Sequence, residues 1–167
     1  MFNTNTNTNT NTNVNVNKLS VKRDRINEPL VDKLCISNKV FTYIKDLMVF
    51  ASMVGYNKGK RKPLSSDTIS ISLETYATDQ KDAFIYLLAL ITNKNGVCLK
   101  DENIADSIKV FEEYCNYGLE EIQLWLDENP GDHLGIDTIA DKIYTQMLIN
   151  ECSVKAEIKP NELEVDF

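Results

Sequence analysis

Histidine and tryptophan each occur once in the 167 residues, glycine six times and proline four. A single histidine, His133, gives little material for imidazole chemistry. It sits in PGDHLG beside Asp132, with Asp137 and Asp141 close in sequence. A metal site would need such ligands to converge with others; turn and cap roles account for the same aspartates. The four cysteines, Cys35, Cys98, Cys115 and Cys152, form no CxxC pair and have no histidine at ligand spacing. They read as free thiols used as small apolar residues, which places the chain in a reducing compartment. No charged stretch followed by an apolar one marks a signal peptide. The longest apolar run, Ala83 to Ile91, is about half of the roughly 20 residues a membrane span requires. The expected location is the cytoplasm. No P-loop, dinucleotide fingerprint or nucleophile elbow is present, since GYNKGKRKP lacks a GKS or GKT ending. No cofactor is expected.

The organising stretch runs from Phe41 to Leu64, FTYIKDLMVFASMVGYNKGKRKPL. Its first part is apolar around most of a helical circumference, as in a helix buried in a core. Gly55 is a natural position for the residue after the helix end. Lys58, Lys60, Arg61 and Lys62 follow at once, before Pro63. The expectation is a buried post ending in an outward cluster of cations suited to phosphate contact. The competing reading is a wet loop with Arg61 paired inside the fold.

Charge is divided along the chain. The net charge is −7, but residues 1–64 hold 11 basic and 4 acidic groups, +7, leaving −14 for residues 65–167. This split allows one basic and one acidic face; ordinary solvated surface is the plain alternative. The basic lead-in KLSVKRDR adds Lys22, Arg23 and Arg25 as a second expected DNA contact, an arm on the phosphate backbone or else a solubilising linker. The acids Glu112, Glu113, Glu120 and Glu121 read as an exposed helical face for a partner protein, or as solvated charge, more readily than as carboxylates for acid–base work.

In chain order, residues 1–17 are an Asn/Thr-rich tract with no apolar face to offset the entropy of ordering, and are expected to be disordered. Residues 18–152 are expected to form a single helical domain, with 153–167 an acidic, flexible tail. Asn27, Glu28 and Pro29 signal a helix start. Thr42 is the expected cap of the central helix. Alternation at Ile69, Ile71 and Leu73 suggests one short extended segment near 68–74. Thr78 is expected to cap a second buried helix through Ala83–Ile91. Ile104, Ile108, Phe111 and Cys115 make an inward stripe on a third long helix, which Gly118 is expected to break before LEEIQLWLDEN. A last helix is expected from about Asp137 to Asn150. The fold class is therefore all-α, a compact bundle of about five to six helices around two central buried ones.

Two blocks carry a family resemblance. In the first stand Phe41, Lys45, Asp46, Phe50, Ala51, Gly55, Tyr56, Gly59, Arg61, Pro63 and Leu64; in the second, Phe111, Glu112, Glu113, Tyr114, Gly118, Leu119, Trp125 and Leu126. Together they resemble the bacterial family of DNA phosphorothioation-associated (Dnd system-associated) protein 4. Ser52, Cys115 and Tyr117 depart from its pattern. The resemblance covers roughly residues 20–145 and implies context more than mechanism: systems that replace a non-bridging phosphate oxygen of DNA with sulfur and restrict unmodified DNA, a phage defence. It implies other proteins of such a system as partners. The combined expectation is a non-catalytic accessory protein touching DNA through the basic loop and a partner protein through the acidic face. A protein–protein adaptor without DNA contact, and a metal-dependent nuclease subunit, stand as alternatives.

Overall fold

The computed structural model describes residues 19–157, with side chains to Ser153. The Asn/Thr-rich tract and the last ten residues, with the expectations placed on them, lie outside the described range. The elements are β1 (Ser20–Asp24), α1 (Glu28–Val31), α2 (Ile44–Asn57), β2 (Thr68–Ser72), α3 (Leu73–Ala77), α4 (Asp82–Asn93), α5 (Ile104–Glu128) and α6 (Ile136–Glu157). A wider π turn carries α1 on through Asp32–Ser37. The result is the expected helical bundle, with a small two-stranded sheet.

At its centre α2 crosses α5, and two glycines make the crossing possible. A Cβ on Gly118 would lie 1.8 Å from the backbone oxygen of Ala51, and one on Gly55 would lie 2.2 Å from that of Tyr114. The pairing of Ala51 with Gly118 and Gly55 with Tyr114 means that the helices run antiparallel. Each glycine costs a helix interior about 1 kcal/mol relative to alanine; here the loss is offset by packing between backbones. Two expectations are corrected accordingly. Gly55 is not beyond the end of α2 but inside it, and Gly118 does not break α5, which runs unbroken for 25 residues. Around the crossing Leu47, Met48, Phe111, Cys115, Leu119 and Ile122 are fully enclosed.

The second central helix is thus α5. Helix α4 buries only Ile85, Leu88 and Ala89 and leaves Phe84 and Leu87 exposed. Its expected cap, Thr78, instead closes α3, donating its hydroxyl to the Glu74 carbonyl at 3.0 Å. Tyr43, not Thr42, occupies the N-cap of α2. Helix α6 continues past Asn150 to Glu157.

The extended segment near 68–74 finds a partner that charge had disguised. β1, inside the basic lead-in, pairs antiparallel with β2, Ser20 opposite Ser72 through Asp24 opposite Thr68. Val21 and Arg23 point inward while Lys22 points out, the period of two that a strand imposes. The outer edge of β1 faces α5, where the Lys22 N–H donates to Glu112 Oε1 at 2.7 Å. A carboxylate thereby occupies a donor that an edge strand would otherwise leave open.

Candidate functional site

The basic loop follows from the end of α2. Gly59 takes φ +64°, a turn that favours glycine, and the Lys60 N–H returns to the Gly55 carbonyl at 3.1 Å. The chain then lies along α5. The Lys62 N–H donates to the Glu113 carbonyl at 2.9 Å. The Asn116 amide donates to the carbonyls of Lys62 and Pro63 at 3.4 and 3.2 Å.

This course brings the loop cations onto the acids of α5. Lys58 pairs with Glu121 at 2.9 Å. Arg61 sets both Nε and Nη2 on Glu113 Oε2, at 2.9 and 2.6 Å. Lys62 pairs with Glu120. Arg61 also lies over the Tyr114 ring and Lys60 over the Tyr117 ring, each 5.5 Å from the centroid. Glu113, Tyr117, Glu120 and Glu121 recur at helical spacing, so one stripe of α5 receives the whole loop. The expected outward cluster is instead an ion-paired clasp. Of the acids expected to form a partner face, Glu113, Glu120 and Glu121 pair with the loop, while Glu112 is buried and accepts the Lys22 N–H. Lys58 holds the Glu121 carboxyl below its ordinary range, with smaller help from Trp125 and Tyr117.

The lead-in residues divide similarly. Arg23 is only 2% exposed and pairs with Glu28, which removes it from any DNA surface. Arg25 pairs with Asp67 at 2.8 Å in the open. Lys22 has an exposed side chain with no ion-pair partner among the described residues.

Beneath the clasp lies a polar network that the sequence reading did not single out. Asn116, fully buried, donates to Asp24 Oδ2 at 3.0 Å and accepts from Asn27 Nδ2 at 3.2 Å. Asp24 Oδ1 accepts the Ser65 N–H at 2.7 Å. Asn27 therefore serves the interior rather than capping α1 through its side chain. Burial pushes the Glu112 carboxyl up to about 7, against the opposing Lys22 N–H.

Both Asp132 oxygens are taken by the start of α6, accepting from the N–H groups of Gly135 and Thr138 at 2.8 Å each. Among the described residues no three His, Cys, Asp or Glu side chains come together to hold a metal ion, so the convergence a nuclease centre at His133 required is not met there. Burial pushes the Cys35 thiol to about 11 and the Cys115 thiol up as well, which leaves neither a thiolate at neutral pH. No helix among the described residues is long and apolar enough to cross a membrane.

No curated protein and no solved structure matches the chain. Residues 20–155, from the first residue of β1 into the last turn of α6, match the family described as DNA sulphur modification system-associated protein 4. With its crossing glycines, loop clasp and strand all inside that span, the chain belongs to the family of DNA sulphur modification system-associated protein 4.

Proposed function

We propose that this protein is a cytoplasmic, non-catalytic adaptor of a DNA sulphur modification and restriction system, acting through contacts with other proteins of that system. Family membership supports the setting. The observation that carries the adaptor reading is the clasp. Three of the four loop cations are ion-paired to α5 and the fourth lies on Tyr117. Phosphate binding there would have to replace those contacts, and the nearby carboxylates would repel the incoming anion.

The reading with direct DNA contact retains one specific observation. Lys22 and Lys60 have no carboxylate at ion-pair distance among the described residues, and Lys58 and Lys62 keep roughly half of their side chains exposed. Such contacts would position the protein on the backbone without reading bases.

Filter binding of duplex DNA at low and moderate salt separates the two. Replacing Lys22 and Lys60 by alanine leaves the ion pairs of the clasp in place. The adaptor reading predicts weak binding that this double variant does not change. A loss of about tenfold or more, greatest at low salt, establishes DNA contact instead.

A further inference from the structure

Helix α6 is the least enclosed long element of the fold. Of its described side chains only Thr138 and Ile139 are buried. Ile136, Ala140, Ile143 and Met147 follow at intervals of four, three and four, the spacing of an apolar seam. All four are exposed, Met147 by 56%. The neighbouring seam, at the same spacing, holds Asp137, Asp141, Tyr144, Leu148 and Glu151, with Tyr144 exposed by 63%. An isolated helix carrying such a face is marginal in water and gains its stability from what the face packs against.

Along the other side of the apolar seam a groove of about 330 Å³ opens between α6 and α2. Phe50 and Met53 line it from α2, Ile143 and Met147 from α6, and Trp125 from α5. The Asn57 amide bridges to Gln146 Oε1 at 2.9 Å across the two helices. The surface is thus a hydrophobic strip with carboxylates on one side and, on the other, an anchor cavity whose two lysines, Lys58 and Lys142, are paired with Glu121 and Glu128. Asp137, Asp141 and Glu151 have no basic ion-pair partner among the described residues. Exposed strips of this kind mark interaction sites, and methionines let such a surface adapt to its occupant.

We infer that the α6 face docks a basic amphipathic helix of a partner protein. Its apolar side covers Ile143, Met147 and Leu148, with one large side chain entering the groove. Its lysines or arginines meet Asp137, Asp141 and Glu151. The charge pattern decides the occupant. A second α6 would bring Asp137, Asp141 and Glu151 against their own kind, while a basic helix neutralises them. The inference deepens the adaptor reading and rests on it. Its test is separate from the DNA measurement: DNA binding leaves the α6 result to stand or fall alone, and a failed α6 test leaves the clasp untouched.

The probes are two synthetic helical peptides of about 18 residues, long enough to span the apolar seam. One is built of leucine and lysine, the other of leucine and glutamate in the same pattern. Trp125, the sole tryptophan and a wall of the groove, reports binding by fluorescence. The Leu/Lys peptide is expected to bind saturably. Met147→Glu with Leu148→Glu, and separately Asp137→Asn with Asp141→Asn, should each weaken it by about tenfold. These positions are exposed, and unchanged circular dichroism verifies the fold. Asp101→Asn with Glu102→Gln, away from α6, should leave affinity unchanged. Equal binding of the Leu/Glu peptide overturns the inference, as does Leu/Lys binding indifferent to the α6 substitutions. Sedimentation as a dimer that Met147→Glu dissociates also overturns it, in favour of a second copy.

Discussion

Replacing Gly118 by alanine probes the helix crossing that places every other feature. In a solvent-exposed helix interior this substitution stabilises by about 1 kcal/mol. Here the new methyl carbon would stand 1.8 Å from the Ala51 carbonyl oxygen. Ordinary contact requires about 3.3 Å, so α2 and α5 must separate by about 1.5 Å at the point of closest approach. The backbone atoms on both sides have no rotamer to yield. The separation loosens Leu47, Met48, Phe111 and Leu119 together and carries Glu113 and Glu120 away from their partners on the loop. Overpacking of this kind costs about 3 kcal/mol net, a large share of the 5–15 kcal/mol that holds a domain folded. Urea unfolding followed by Trp125 fluorescence reads it directly. With a slope of about 2 kcal/mol per molar, the midpoint should fall by about 1.5 M. Gly96, with nothing within 4 Å of an added Cβ, is the control, and its alanine variant should shift the midpoint by less than about 0.3 M. A Gly118→Ala protein with a raised midpoint would refute the packing argument, because propensity alone would then govern the site.

Two further substitutions probe the interior beneath the clasp. The Glu112 carboxyl titrates in the fold near 7, against an ordinary value of 4.5. The folded protein therefore favours the protonated form; this group's contribution is most favourable below about pH 4.5 and declines as pH rises to about 7, by up to about 3 kcal/mol. Glu112→Gln should accordingly raise the melting temperature at pH 8 and leave it nearly unchanged at pH 4.5; a lower melting temperature at pH 8 contradicts the assignment. Asn116→Ala strips partners from Asp24, Asn27 and the Lys62–Pro63 carbonyls. It should cost about 2–3 kcal/mol in thermal or urea unfolding, whereas a change under about 0.5 kcal/mol would show that water replaces the amide.

What the sequence could and could not disclose follows from the range of each interaction. The inward stripe of Ile104, Ile108, Phe111 and Cys115 is local, and it holds. So does the alternation of Ile69 and Ile71 in β2. β1 was hidden because its inward positions are Val21 and Arg23, and an arginine on a core face reads as surface until its stem is seen packed and its head paired. Gly55 and Gly118 look like helix ends to any local rule; only the opposing backbone explains them. The clasp joins Arg61 to Glu113 and Lys62 to Glu120 across more than fifty positions. Loop cations and helix acids were each visible, but the expected break at Gly118 split the acids between two helices, and their register with the loop is a tertiary fact. Sequence alone therefore left open both an outward cation cluster and a loop with Arg61 paired inside the fold, and could not name Glu113 as the partner.

A double-mutant cycle on Arg61 and Glu113 is the most direct measurement of that pairing. Arg61→Ala, Glu113→Ala and the pair are compared by urea unfolding at low salt. The two-point contact at 2.9 and 2.6 Å on a mostly buried carboxylate predicts a coupling of about 1–2 kcal/mol, above the usual surface ion pair. A coupling indistinguishable from zero would contradict the clasp and return the loop cations to the solvent, available for phosphate.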